Sequence, residues 1–60
     1  MDNLTAIGIA EGFLVCESEK QYIQAWQLLI DTGVAYTLQG WFGRTANHLI
    51  LEGYCTRKKS

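Results

Sequence analysis

The side chains best suited to chemistry in this 60-residue chain are few, and two of them flank its only histidine. His48 has Arg44 four residues before it and Glu52 four residues after it. On a helix this spacing places all three on one face, where a histidine and a carboxylate could exchange a proton. An acid–base site needs more convergent groups, and no second histidine or carboxylate cluster accompanies His48. The spacing therefore favours a polar stripe that faces solvent.

Cys16 and Cys55 are the only thiols, and they could form at most one disulfide. The chain begins without the basic and apolar regions of a secretory signal, which favours reduced thiols in a cytosolic protein. The cysteines are not arranged as CxxC, and with His48 as the third ligand they would make a poor zinc site. We interpret both as small buried apolar residues and expect neither a metal nor another cofactor.

The segment GWFG, residues 40–43, contains two glycines but is not a phosphate-binding loop. A P-loop requires a lysine and a hydroxyl residue at fixed offsets, and a dinucleotide-binding loop requires a third glycine after a strand. A Ser-His-Asp set with a nucleophile elbow is not present in the sequence either. We therefore expect no enzymatic activity and no catalytic residue.

Aromatic side chains are numerous for so short a chain, with two Trp, three Tyr and two Phe. A single small core cannot bury all of them fully, and aromatic residues left at a surface are favoured anchors of protein interfaces. We expect Trp26 and Phe42 in the core, and Tyr36 or Trp41 at least partly exposed. The predicted partner-binding residues are Tyr36, Trp41, Arg44 and His48.

Charge and hydropathy restrict the kinds of partner. Residues 1–56 carry two basic against six acidic side chains, a net charge of −4, and such a body repels nucleic-acid phosphates. Residues 57–60 form a short basic tail, which we interpret as a solubilising terminus. No apolar segment reaches the length of a membrane span. We expect neither nucleic acid nor a membrane as the partner.

These side chains need helices to position them. Ser18 and Gln21 have the spacing of a capping box, in which the serine oxygen accepts the Gln21 amide and the glutamine reaches back to the serine amide. Apolar residues follow with helical spacing, and Gly33 is placed to end the element. The sequence predicts a helix over about residues 18–32, with an inner stripe of Tyr22, Ile23, Trp26, Leu29 and Ile30.

A second helical pattern covers about residues 35–52, with Gly53 as its C-terminal glycine. Gly40 and Gly43 are each unfavourable in a helix interior by about 1 kcal/mol relative to alanine. They predict a kink or break near residues 39–43 and the close approach of another backbone. Together the two helices indicate a small helical hairpin in an all-α fold.

The N-terminal third allows two interpretations. We favour a short helix over about residues 4–11 that ends at Gly12, with Leu4, Ile7 and Ala10 as its inner face. Residues 13–15 would then cross over and cover the open side of the helical hairpin. The alternative is a β-hairpin around Glu11-Gly12, although two strands alone are weakly stable.

With the N-terminal helix, residues 1–56 form a single domain in a three-helix arrangement. A chain of 60 residues buries only about 60% of its unfolded surface, so its stability is marginal without help. A partner surface adds stability, and we therefore expect a homo-oligomer.

The C-terminal half contains a specific run of residues: Ile30-Asp31-Thr32-Gly33, Leu38-Gln39-Gly40, Gly43-Arg44-x-Ala46, Leu49-Ile50 and Gly53. This run resembles a family of short, mostly uncharacterised proteins encoded by phages. Members of that family usually begin with a short acidic helix, from which the apolar, glycine-bearing start of this chain departs. The resemblance implies a phage context, and small phage proteins often act by binding a host protein.

We therefore expect a module that binds and modulates a host protein in the host cytoplasm, with inhibition as the expected outcome. Anti-CRISPR action and inhibition of host transcription are examples. One alternative is a small helix-turn-helix-like regulator that reads DNA with Gln39, Arg44, Asn47 and His48. Another is a structural or assembly component of a virion.

Overall fold

Three α-helices and one short 3-10 helix form the described structure. The computed structural model describes residues 1–57, so residues 58–60 of the predicted basic tail lie outside it. The elements are α1 at Asn3–Glu11, α2 at Glu19–Asp31, the 3-10 helix at Val34–Tyr36 and α3 at Gly40–Leu51. Residues 1–57 contain no strand, and the predicted all-α, three-helix class is confirmed. None of these helices is long and apolar enough to cross a membrane.

Helix α2 begins as its capping residues predict. The Gln21 amide donates to Ser18 Oγ at 3.1 Å. Glu19 lies in the first turn, where its negative charge is favourable at the positive end of the helix dipole. The return bond differs by one residue from the prediction, because Gln21 Oε1 accepts the amide of Glu17, at 2.7 Å, rather than that of Ser18. The glutamine still satisfies an amide that the helix start leaves without a partner.

A glycine with positive φ follows each of the three α-helices, as the sequence predicts. The φ values are 83° at Gly12, 79° at Gly33 and 85° at Gly53. This left-handed conformation is least costly without a Cβ, and it lets the following amides bond back to the last helical turn. After α3, the amides of Tyr54 and Cys55 donate to the Leu49 carbonyl oxygen at 2.9 and 3.1 Å.

The second helical stretch is divided by a non-helical connection. Val34–Tyr36 form one 3-10 turn, and α3 begins at Gly40 rather than at residue 35. The Thr37 hydroxyl donates to the Val34 carbonyl at 2.9 Å, which ends the turn, and Gln39 then has ψ 152°, outside the helical region. Gly40 is the first residue of α3, where glycine costs less than in a helix interior. The predicted break therefore lies immediately before α3.

Helix α1 forms, and the alternative β-hairpin does not. Asp2 caps it, with the Thr5 amide donating to Asp2 Oδ1 at 2.8 Å, and hydrogen bonding by Thr5 lowers the pKa of the Asp2 carboxyl. The predicted inner face is wrong for Leu4, which is 80% exposed, whereas Ile7 and Ala10 are partly buried against the core and the fully buried residues are Ala6 and Ile9. Because α1 carries apolar residues on most of its circumference, the spacing alone cannot select the side that packs inwards.

Residues 13–15 do not cover the core, contrary to the prediction. Phe13 and Val15 are 81% and 89% exposed, and Leu14 is nearly half exposed. The amides of Phe13 and Leu14 both donate to the Gly8 carbonyl, at 2.9 and 3.2 Å, which turns the chain back onto α1. Leu14 lies so close to Gly8 that a Cβ there would be 2.7 Å from Leu14 Cδ1. The segment therefore folds against α1.

The core is built around Trp26. Its largest fully buried side chains are Trp26, Leu29 and Ile30 from α2 and Phe42 from α3. The centroid of the Trp26 ring lies 5.8 Å from that of Phe42 and 6.4 Å from those of Tyr22 and Trp41. Each such ring pair adds about 0.5–1.5 kcal/mol beyond the burial of area. The prediction that Trp26 and Phe42 are core residues is confirmed.

The segment after α3 returns to α2. Gln27 pairs with the backbone of Thr56 in both directions, with Nε2 donating at 2.9 Å and Oε1 accepting at 2.8 Å. Cys55 is buried beside the Ile23 carbonyl, and burial, with a smaller effect of Asp31, raises the pKa of its thiol. Both cysteines are free, and the half-buried Cys16 donates its thiol proton to the Ser18 carbonyl at 2.8 Å.

Candidate functional site

The exposed face of α3 carries three of the four predicted partner-binding residues. Helix α3 directs Phe42, Ala46 and Leu49 into the core, so its opposite side faces solvent. Four exposed side chains follow one another there at positions i, i+3, i+7 and i+10. We call them the α3 stripe: Trp41, Arg44, His48 and Leu51. This is the spacing with which one helix packs along another.

The ring of Trp41, in the α3 stripe, is held in position by contacts with core residues. It stacks on Phe42 with ring centroids 3.9 Å apart, and it meets Trp26 in an edge-on arrangement. It nevertheless keeps 38% of its surface exposed, and Tyr36 keeps 50%. A ring held in this way loses little conformational freedom when a partner binds. The prediction that Tyr36 or Trp41 is partly exposed is confirmed for both.

Arg44 supplies the permanent positive charge of the α3 stripe. Its guanidinium bends over Gly40, with Nη1 3.2 Å from the position that a Cβ would take on that residue. Within residues 1–57 the only ion-pair contact is between His48 and Glu52, so Arg44 is unpaired in that part of the chain. Its planar, charged group is available for a carboxylate of a partner.

His48 and Glu52 make a weak surface contact. His48 Nε2 and Glu52 Oε1 are 4.0 Å apart, and both side chains are more than half exposed. Such an i, i+4 pair contributes about 0.5 kcal/mol at most. In the described part of the chain no three His, Cys, Asp or Glu residues lie close enough together to hold a metal ion.

Tyr36 lies against Gly43, outside the α3 stripe. A Cβ on Gly43 would be 3.6 Å from Tyr36 Cδ1 and 3.9 Å from the Ala35 carbonyl oxygen, so the 3-10 helix packs closely against Gly43. The close backbone approach predicted at this glycine is therefore present. Neighbouring residues of a helix point about 100° apart, so Gly43 and Arg44 face different directions. The structure brings Trp41, Arg44 and His48 onto one face and leaves Tyr36 outside it.

Leu51 completes the α3 stripe and is not among the residues predicted from the sequence. It is 81% exposed, although it is a large apolar residue. The position of Leu51 on the helix could have predicted its exposure from the sequence. Leu49 continues the buried spacing of Phe42 and Ala46, whereas Leu51 falls seven residues after Arg44 on the other side of the helix. A leucine left outside the apolar side of a helix indicates a contact surface when other anchor residues share its face.

The chain matches one known protein family. Residues 15–60 match the model of a domain of unknown function, DUF7417. The chain belongs to this family. No curated protein and no solved structure matches it. The matched segment of this DUF7417 protein contains α2, α3 and the whole α3 stripe, whereas α1 precedes it.

Proposed function

We propose that this DUF7417 protein is a small interaction module that binds a host protein through the α3 stripe and inhibits it. The observation that carries the proposal is the exposed stripe on one helix face, with apolar Trp41 and Leu51 at its ends and Arg44 and His48 between them. Tryptophan and arginine are among the residue types most enriched in binding hot spots. The fixed position of Trp41 favours binding further, because less conformational entropy is lost.

The expected partner surface follows from the dimensions of the α3 stripe. With a rise of about 1.5 Å per residue, the stripe is about 15 Å long, which suits a groove or a facing helix of similar length. We propose that the partner provides a carboxylate opposite Arg44 and a pocket for the exposed edge of Trp41.

The host context rests on the resemblance of residues 30–53 to short phage-encoded proteins. Such proteins often act by binding a protein of the host, and we place the action of this chain in the host cytoplasm. A CRISPR effector and a component of host transcription are the kinds of target that we propose.

A DNA-reading role has less support from the geometry. Residues 32–39 separate α2 from α3, whereas the turn of a helix-turn-helix has three or four residues. The α3 helix carries one arginine and no lysine, and Glu52 lies beside His48. Sequence-independent DNA affinity requires several phosphate contacts. We expect no binding to duplex DNA at physiological salt.

The test uses the full chain as bait in host lysate, with the retained proteins identified by mass spectrometry. Arg44→Ala and Leu51→Ser are compared with Leu4→Ser, a matched control because Leu4 and Leu51 are 80% and 81% exposed on different helices. We expect a target that the wild-type chain and Leu4→Ser retain and that both stripe variants lose.

Folding is measured alongside, because the interpretation requires intact variants. All three substitutions are at exposed positions, so the free energy of unfolding should change by about 0.5 kcal/mol or less. A target that Leu4→Ser loses equally, or that both stripe variants retain, would contradict the proposal. A gel shift with duplex DNA that Arg44→Ala abolishes would favour the DNA-binding regulator instead.

We also propose that the chain self-associates through the α3 stripe. A small core gains stability when a second copy removes apolar surface such as Leu51 from water. Sedimentation velocity over increasing concentration should show an oligomer that Leu51→Ser weakens. A wild-type chain that stays monomeric at the highest concentration would remove this part of the proposal and leave target binding in place.

A further inference from the structure

Residues 4–15 provide a second exposed apolar surface, on α1 and the turn after it. These residues are far in sequence from the α3 stripe. Leu4 and Gly8 are four residues apart and share one face of the helix. Leu14 lies over Gly8 on that face, between its chain neighbours Phe13 and Val15, which are both strongly exposed. We call this surface the N-terminal face: Leu4, Phe13, Leu14 and Val15.

The backbone holds the N-terminal face in place. The Gly8 carbonyl accepts both the Phe13 and the Leu14 amide, and the Gly12 amide donates to the Ile9 carbonyl at 3.2 Å. Leu14 can occupy its position only because Gly8 has no Cβ. The backbone bonds hold Phe13 and Leu14 next to α1 while their side chains face solvent, and exposed large apolar residues close together in the chain are a common mark of an interaction site.

The charges around the N-terminal face are mainly acidic. Against one basic side chain, Lys20, and the N-terminal ammonium, residues 1–20 contain four acidic side chains: Asp2, Glu11, Glu17 and Glu19. Asp2 lies at the start of α1 beside Leu4, and Glu11 lies seven residues after Leu4, on the same side of the helix. Glu17 follows Val15 by two residues. All four carboxylates belong to exposed residues, and Glu11, on the Leu4 side of α1, gives the apolar surface an acidic border.

We propose that the N-terminal face binds a protein segment that is apolar on one side and bordered by lysine or arginine, such as a basic amphipathic helix. The apolar contact supplies affinity, and opposite charge at the border supplies specificity and a faster association rate. A second copy of this chain would place its own carboxylates at the same border, and an anionic membrane would be repelled in the same way. The basic segment is therefore the occupant that the charges favour.

The test titrates the full chain into two labelled synthetic peptides and follows fluorescence anisotropy. Both peptides are amphipathic helices with the same leucine face, and their polar positions are lysine in one and glutamate in the other. We expect the lysine peptide to bind about tenfold or more tightly than the glutamate peptide, since unlike charges attract across the border. Its affinity should fall as salt is raised from low to physiological concentration.

Variants of the chain show whether the binding uses the N-terminal face. Leu4→Ser and Phe13→Ser should each weaken the lysine peptide about tenfold, because each removes an exposed apolar anchor. Tyr54→Ser is the control, because Tyr54 is also an exposed aromatic residue and belongs to neither surface, and it should leave the affinity unchanged. Gly8→Ala displaces Leu14 while it raises helix propensity, so it should weaken binding without lowering the melting temperature.

Equal affinity for both peptides would overturn the proposal, and so would a lysine peptide whose affinity Phe13→Ser leaves unchanged. Self-association of the wild-type chain that Phe13→Ser abolishes would identify a second copy as the occupant instead, and binding to zwitterionic vesicles that Phe13→Ser abolishes would identify a membrane. The lysate experiment tests the α3 stripe separately. Retention of the lysate target depends on Leu51, whereas binding of the lysine peptide depends on Leu4, so either proposal can fail alone.

Discussion

Helices α1 and α2 begin and end with the same kinds of residue, yet they bury their side chains to very different extents. An oxygen-bearing side chain caps each start, with Asp2 accepting from the Thr5 amide and Ser18 from the Gln21 amide. Gly12 and Gly33 follow the two ends with nearly equal positive φ values. The local devices that delimit a helix are therefore the same in both.

The difference lies in what each helix gives to the core. Helix α2 buries four residues that include Trp26, Leu29 and Ile30, whereas α1 buries only Ala6 and Ile9 and exposes Leu4. Caps decide where a helix lies in the chain, but the apolar area on one side decides how strongly it is attached. Helix α2 therefore holds the fold together, while α1 leaves part of its apolar surface exposed.

The greatest loss of stability is expected for a substitution in the buried side of α2, compared with one on the exposed side of α1. Trp26→Ala should lower the free energy of unfolding by about 3–5 kcal/mol, because it removes the largest buried ring and leaves a cavity. Leu4→Ala on α1 should change it by about 0.5 kcal/mol or less. Urea unfolding followed by circular dichroism measures both, with Trp26→Phe as the milder variant if the alanine variant does not fold. Similar losses for Trp26→Phe and Leu4→Ala would contradict the comparison.

A smaller effect is expected where the 3-10 helix packs on α3. Gly43→Leu should destabilise the protein by about 1–3 kcal/mol, several degrees of melting temperature, because the side chain would collide with Tyr36 and the Ala35 carbonyl. Gly43→Ala is the control and should be tolerated, since its Cβ meets these atoms at 3.6 and 3.9 Å, ordinary contact distances. A silent Gly43→Leu would mean that the close packing here carries no stability.

The Ser18 and Asp2 caps should contribute differently to stability, although their hydrogen-bond geometry is alike. Ser18→Ala should cost about 1 kcal/mol, because the Gln21 amide loses its acceptor at the start of the helix that builds the core. Asp2→Ala should move the midpoint of denaturant unfolding by less, since α1 attaches fewer buried side chains. Ser18→Asp keeps an acceptor and should restore most of the loss. An Asp2→Ala effect as large as that of Ser18→Ala would show that α1 is bound as tightly as α2.

The smallest change is expected in the pH dependence of helix stability, which should differ between the Asp2 and Ser18 caps. Thr5 holds the pKa of Asp2 below its ordinary value of 3.8. The stabilising contribution of the carboxylate is therefore present above pH 3.8 and is lost as the pH falls through the lower folded value. Amide hydrogen exchange should show weaker protection of α1 below this pH, whereas the Ser18 cap does not titrate. Asp2→Asn keeps a capping oxygen without a charge, and protection of α1 in that variant should not change over this range.

Local chemistry in the sequence determined much of this protein. The bounds of α2, the three C-terminal glycines and the partial exposure of Tyr36 and Trp41 are all predicted from residue types and spacing. These features depend on side chains within a few residues of one another, or on the size of a ring relative to a small core. Trp41, Arg44 and His48 share a face for the same reason, because helical spacing alone brings them together.

The tertiary structure alone decided three other features. Helix α1 is apolar on most of its circumference, so only its packing against α2 selected Ala6 and Ile9 for burial and left Leu4 outside. The turn of residues 13–15 onto α1 depends on Leu14 finding the space above Gly8, a contact that no periodicity encodes. The packing of Tyr36 and the Ala35 carbonyl against Gly43 joins the 3-10 helix to α3, a contact that the helical pattern over residues 35–52 does not predict. In each case several local conformations are similar in energy, and long-range contacts of about 1 kcal/mol are enough to select one of them.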